Sequence, residues 1–352
     1  MERLAMFPVI NRNNYIVKYR KMLEDYKLTY AIYLPSESNW VMKNREPDVN
    51  YTTDYNEAII SSETILILPG LGKKYYAEYL KIINLSLSLD RKVIMTKSLY
   101  NLFGDLVENE YKIEVIDNEV EKKENVEYKI DRIEKPVVCV MSIGENAGKF
   151  EVQLELTKAL NQYGYKSFQI GTKPTANIFG METLPEFLFD EEIGFEKKVY
   201  KFNQYLYEKT KNSDDVIIIG VPGGVMPLNN SCYSHFSEVA LVITQAVKID
   251  YCILNLYANK YIDKEYIRGL KNLLLEKYKC IVEHFVFSNS QYRYNEEKDE
   301  VEYISFGKDE MEDNLPDISM ENFQYASITD EVSLKELLED IIFRMQSDID
   351  II

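Results

Sequence analysis

Histidine is nearly missing from this chain. Only His235 and His284 occur in 352 residues, beside four cysteines and one tryptophan, Trp40. A structural zinc site takes four ligands, and a catalytic one takes three with an open position. Cys232 and His235 form a C-x-x-H pair, but no second cysteine pair exists to complete it, so zinc is not expected. Neither histidine has a nucleophile-elbow motif to serve, which disfavours a Ser, Cys or Thr hydrolase. Cys139, Cys252 and Cys280 sit in or beside apolar runs, where thiols act as small core residues. No disulfide framework spacing appears, which predicts a reducing cytoplasm. No run approaches the ~18 apolar residues of a membrane span, so none is expected. The start MERLAMFPVINRNN lacks a basic stretch followed by an apolar core, so no signal peptide is expected. Positive charge is also scarce, with 41 Lys and Arg against 58 Asp and Glu, for a net charge of -17. Such acidity argues against broad binding to nucleic acid or to an anionic membrane. It leaves room for a local basic pocket that holds a nucleotide. It also makes Trp40 and the 28 tyrosines read as packing or amphipathic surface, not a base-stacking platform.

What is present is an apolar content of 46%, enough for sizeable cores, over a length that suggests two domains. Residues 1–117 read as a small Rossmann-like α/β unit. A helix is expected over 14–26, strands over 28–34, 58–68 and 92–96, and helices over 73–89 and 98–106. Strands alternating with helices predict a parallel sheet. Residues 118–135 are dense in charge and poor in core residues, and read as a linker. The second α/β domain spans 136–352. Its strands are expected at 137–141, 167–170, 215–220, 251–257 and 281–287. Its helices are expected at 149–163, 193–211, 236–245 and 264–277, followed by a hairpin over 291–306 and a final helix over 334–345.

Three segments of that second domain carry candidate chemistry. The first is PVVCVMSIGENAGKF, residues 136–150: an apolar strand, a loop of small and polar residues, then Gly148-Lys149 opening a helix. Backbone N–H groups at a helix start carry partial positive charge, and a lysine there can reach terminal phosphates. Gly144, Glu145, Asn146, Ala147, Gly148, Lys149 and Phe150 are therefore the candidate nucleotide cradle. A strict phosphate-loop motif has four residues between its glycines and a Ser or Thr after the lysine. Here three residues separate Gly144 from Gly148, Ile143 takes the first-glycine position, and Phe150 replaces the hydroxyl. The second segment is GTKPTANIFG, 171–180, which puts Lys173 at a strand's carboxyl end, where ligands bind in open α/β sheets. The third is DVIIIGVPGGVMPLNN, 215–230, whose Gly223-Gly224 turn lets backbone approach a ligand closely.

In order and spacing, Gly148-Lys149, Lys173-Pro174 and Gly223-Gly224 with Pro227 resemble dethiobiotin synthetase and related amide-forming P-loop proteins over about 136–257. The resemblance implies a P-loop NTPase-like parallel sheet. It also implies ATP or GTP as ligand, Lys149 on the phosphates, and Lys173 facing substrate or phosphate as a second catalytic lysine. Gly223 and Gly224 would form the opposite wall. SIGENAGKFEVQLEL, QIGTKPTANIFG and IIIGVPGGVMPLNN with SHFSEVA also resemble a clostridial peptide-maturation system protein. That likeness implies a cytoplasmic accessory role in bacteriocin or peptide natural-product biosynthesis, with a precursor peptide or a radical peptide-modifying enzyme as partner. Two other readings stand beside it. One is an ATP-dependent enzyme that activates a carboxylate for amide or ring formation, and the other is a non-catalytic scaffold. Phe150 removes the usual hydroxyl ligand and Ile219 leaves the third segment's strand end without a carboxylate, so Mg²⁺ is doubtful. Glu145, Asp190 and Glu238 are the candidate replacements.

Overall fold

The computed structural model describes all residues except 108–109, 118–127, 212–214, 230–235, 237, 296–299, 320–322 and 350–352. The chain divides into two compact units: Met1–Asn118 with Lys173–Thr183, and Glu119–Thr172 with Leu184–Ile352.

The first unit is a parallel sheet of β1 (Glu2–Phe7), β2 (Tyr26–Ile32), β3 (Asn50–Thr52), β4 (Thr64–Ile67), β5 (Lys92–Thr96) and β6 (Ile113–Ile116). Their order, β3-β2-β1-β4-β5-β6, is that of doubly wound dinucleotide-binding sheets. The helices between the strands are α1 (Asn14–Lys18), α2 (Ser38–Lys43), α3 (Tyr55–Ser61), α4 (Tyr76–Ser88) and α5 (Lys97–Phe103). α3 is capped by Asp54, whose carboxylate accepts the N–H groups of Asn56 and Glu57. α4 buries Tyr79, Ile82, Ile83 and Leu87 against Phe7, Ile65, Ile67 and Val93. The helix expected over 14–26 stops at Lys18, because Tyr26 is already paired with Glu2 in the sheet. The span 58–68 divides into the end of α3 and β4. Lys173–Thr183 carries a 3-10 helix (Pro174–Phe179) and the short β9 (Glu182–Thr183). It joins the first unit through Glu24 N–H to Ile178 O (3.1 Å) and Thr183 Oγ1 to Asp117 O (3.2 Å). The sequence assigns this segment, with Lys173, to the second domain instead.

The second unit is built on β7 (Val137–Ser142), with β8 (Ser167–Gly171), β10 (Val216–Gly220), β11 (Tyr251–Tyr257), β12 (Val282–Ser288) and β15 (Gln324–Ser327). They run parallel in the order β15-β12-β11-β7-β10-β8, with a separate antiparallel hairpin of β13 (Ser290–Asn295) and β14 (Glu300–Ser305). All six residues of β7 are buried, as expected for a strand covered on both faces. Alternate residues point to opposite faces. Val137, Cys139 and Met141 meet Phe202 and Leu206 of α7 (Phe195–Thr210), Ile243 of α8 (Val239–Ala246) and Leu270 and Leu274 of α9 (Lys264–Tyr278). Val138 and Val140 meet Val152, Leu156 and Leu160 of α6 (Lys149–Gln162). They also meet Leu338, Ile341 and Ile342 of α11 (Glu331–Ile349), and the short α10 (Lys308–Glu312) precedes that helix. The described end of the expected linker belongs here: Asp131 N–H donates to Asn203 Oδ1 (2.7 Å), and Asn203 Nδ2 donates to Asp131 O (3.0 Å).

Candidate functional site

β7 ends at Ser142, and α6 begins seven positions later at Lys149. Three hydrophobic anchors fix the turn between them. Ile143, Ala147 and Phe150 are 8%, 1% and 1% exposed, so the motif's departures at 143 and 150 serve the core. The ring of Phe150 is committed to packing and offers no oxygen where a hydroxyl usually stands. Two residues take left-handed backbone, Asn146 at φ 53° and Gly148 at φ 74°. A side chain at Gly148 would also put its β-carbon 2.5 Å from Ile328 Cδ1.

The carbonyls of residues 144–147 all have donors. Tyr257 OH donates to Glu145 O, Ser290 Oγ donates to Asn146 O (2.7 Å), and Asn255 Nδ2 donates to Ala147 O (2.7 Å). Gly144 O accepts from Lys149 Nζ (3.3 Å) and from Ser142 Oγ. The backbone N–H groups of Asn146, Ala147 and Gly148 have no protein acceptor among the described residues. Three successive N–H groups thus stand at the start of a fourteen-residue helix, an arrangement that in general suits an anion.

Lys149 is 7% exposed, with its ammonium 2.6 Å from Ser142 Oγ and 2.6 Å from Gly223 O. Both are neutral oxygens of the second unit. The Gly223-Gly224 turn closes the other side. Gly223 has φ 68°, and Val225 N–H reaches Ser142 O at 2.9 Å. A β-carbon on Gly224 would lie 2.6 Å from Ile143 O, so the approach of these two backbones requires glycine.

The other candidates lie elsewhere. Lys173 belongs to the first unit, where its ammonium stands 3.7 Å from the centroid of the Tyr15 ring. Glu238 pairs with Lys198, which is 4% exposed, and Asp190 is an exposed residue capping Glu192 N–H. At the end of β10, Gly220 has no side chain, and the Gln153 amide and the Thr172 methyl fill the space where one would extend. Among the described residues no group of three or more His, Cys, Asp or Glu is placed to hold a metal. The Cys232 and His235 pair lies outside the described residues. His284 pairs with Asp340 at 2.8 Å, and burial lowers its pKa. Cys139, Cys252 and Cys280 are buried thiols. Burial raises the pKa of Cys139, and for Cys252 the contact with Cys280 raises it first, then burial. None of the three is poised as a nucleophile.

The sequence reading misses Ser142, Asn255, Tyr257 and Ser290. One signal was available: Asn255 is a lone amide inside the apolar run YCILNLY, near a strand's carboxyl end. Among the described residues no helix is long and apolar enough to cross a membrane.

No protein-family model matches the chain, and no curated protein matches it. Among solved structures, a DUF1611 family protein from Anabaena variabilis ATCC 29413 superimposes with a TM-score of 0.53 at 13% identity, over 82% of this chain and 88% of that one. A cobyrinic acid a,c-diamide synthase from Mycobacterium smegmatis, with bound ADP and magnesium, gives 0.38 at 10% identity, over 61% and 96%. A pseudomurein peptide ligase type C from Methanothermus fervidus gives 0.25 at 12% identity, over 84% and 50%, so this chain spans half of that one's length. The first likeness agrees with the strand orders above: the chain is an α/β protein of two parallel-sheet units, Rossmann-like and P-loop NTPase-like.

Proposed function

We propose that the second unit binds the phosphate groups of a nucleotide, ATP or GTP, at the loop between β7 and α6. The observation that carries this reading is the set of three N–H groups at Asn146, Ala147 and Gly148 without protein acceptors, beside the ammonium of Lys149. An anion placed there would gain hydrogen bonds that the loop does not satisfy internally, together with the charge of the lysine. Lys149 would exchange its neutral partners Ser142 and Gly223 for phosphate oxygens. The segments resembling a clostridial peptide-maturation protein support a cytoplasmic accessory role in peptide natural-product maturation. A precursor peptide or a radical peptide-modifying enzyme would be its partner.

Calorimetric titration with ATP and with GTP, each with and without Mg²⁺, tests the reading against Lys149→Ala. Binding in about the micromolar range, lost in the variant, is the expected result. A folded wild-type protein that binds neither nucleotide in either condition overturns it, and a scaffold role then takes precedence. Turnover that requires both Mg²⁺ and a carboxylate substrate would replace the accessory role with ATP-dependent amide or ring formation.

A further inference from the structure

We infer that Asn255, Tyr257 and Ser290 are positioning residues for this loop: they hold three of its carbonyls from behind and so turn three N–H groups toward the ligand side. The inference rests on the phosphate-binding reading above. In a trans peptide, the C=O of one residue and the N–H of the next point in opposite directions. Tyr257 holds Glu145 O, so the N–H of Asn146 points the other way. Ser290 holds Asn146 O, which turns the N–H of Ala147, and Asn255 holds Ala147 O, which turns the N–H of Gly148. The three N–H groups oriented by these donors are the same three that lack a protein acceptor. A peptide rotated here would present a carbonyl oxygen to a phosphate in place of an N–H, exchanging attraction for repulsion.

The donors are suited to a fixed role. Asn255 is fully buried in β11, two residues before its end, and its own carbonyl takes the N–H of Ile143 at 3.1 Å, so one residue grips both ends of the loop. Its Oδ1 has no partner among the described residues, so the hydrogen bond from Nδ2 to Ala147 O alone sets the amide's orientation. Burial first, then the neighbouring Tyr303, pushes the Tyr257 phenol upward, which keeps its proton in place for donation. Ser290 opens β13 and also pairs with Ser288 Oγ at 3.0 Å. None of the three belongs to the loop's own motif.

The test is the double variant Tyr257→Phe/Ser290→Ala, with Ser290→Thr as a variant that retains the hydroxyl. Crystal structures of wild type and double variant report the peptide orientations, and calorimetry with inorganic pyrophosphate reports their consequence. We expect the 145–146 or 146–147 peptide to rotate in the double variant. Pyrophosphate affinity should fall about tenfold while Ser290→Thr stays close to wild type, since a net hydrogen bond is worth ~1 kcal/mol. A double variant that keeps both peptides in the wild-type orientation overturns the inference, whatever its affinity. If the wild type takes up no pyrophosphate but the peptides rotate, the phosphate reading fails and the positioning role stands. If the double variant does not fold, the structure of Tyr257→Phe alone decides by the orientation of the 145–146 peptide.

Discussion

Beyond β1 in the first unit the chain turns through Pro8 and Val9 toward the five-residue α1, whereas beyond β7 in the second it turns through a loop into the fourteen-residue α6. Both strands lie inside a parallel sheet, where doubly wound folds bind ligands. The polar groups at the two strand ends are used differently. In the first unit, Pro8 has no N–H, Val9 N–H is taken by Ile32 O at 2.8 Å and Asn13 N–H by Ile10 O at 3.0 Å, while the N–H groups of Ile10, Asn11 and Arg12 have no protein acceptor among the described residues. The Asn13 side chain, 5% exposed, bridges the ends of β1 and β4 by donating to Pro8 O (3.3 Å) and Pro69 O (3.1 Å). In the second unit, side chains satisfy the carbonyls and leave N–H groups over. What separates the two strand ends is therefore the set of loop carbonyls held by side chains of other strands, the longer helix and the lysine at its start, not spare N–H groups alone. A helix too short to sum a useful dipole adds little to the first unit's strand end.

Four changes sharpen or break this contrast, the largest expected effect first. Lys149→Ala should weaken ATP by on the order of 100-fold, the scale of a lost hydrogen bond to a charged group, and nucleotide displacement measures it. Asn13→Ala, on the same ligand, should leave affinity unchanged; an equal loss would erase the distinction between the two strand ends. Next, Gly148→Ala should destabilise by about 1–3 kcal/mol, because it combines positive φ with a collision at Ile328. Gly164→Ala shares the positive φ of 82° but meets nothing within 4 Å, and should cost only about 1 kcal/mol in denaturant melts. Asn13→Ala itself should cost ~1–2 kcal/mol in the same melts, since two carbonyls lose their donor.

The smallest effect concerns acid. Both histidines lie within the second unit's stretch of chain. Burial holds the His284 pKa below 6.5, so the unfolded chain binds that proton more tightly than the folded one. The contribution is complete above pH 6.5 and fades as pH falls toward the folded value. His284→Gln should flatten this part of the profile of urea midpoint against pH, and an unchanged slope would assign the acid sensitivity to other groups.

The strand, loop and helix over residues 137–162 were readable because an unbroken apolar run, a glycine and an amphipathic run follow one another locally. The same holds for 251–257 and 264–277, where periodicity matches the elements. β1 was not read, although it is central in its sheet, because its first two residues are exposed and charged and only its last four are buried. α1 was read too long because residues 19–26 continue an apolar spacing that sheet pairing at Tyr26 overrides. In the candidate site, the loop and the Gly223-Gly224 turn carry local marks. The donors at 255, 257 and 290 lie over 100 residues from the carbonyls they hold, and no spacing announces them. The segment 173–183, with Lys173, groups with the first unit through contacts such as Tyr15 OH with Thr175 Oγ1 (2.7 Å), which its neighbours in sequence do not announce.

That segment also has a consequence for synthesis on the ribosome. The first unit's leading 118 residues emerge early, yet Thr175, Ile178 and Thr183 are delivered only after the chain has begun the second unit with β7, α6 and β8. At typical elongation rates the missing piece arrives on the order of several seconds later. The nascent first sheet must wait with Tyr15, Glu24 and Asp117 unpartnered by that strip while its successor starts to form. A chain that stops after residue 118 would lack the contacts that Thr175, Ile178 and Thr183 make with Tyr15, Glu24 and Asp117.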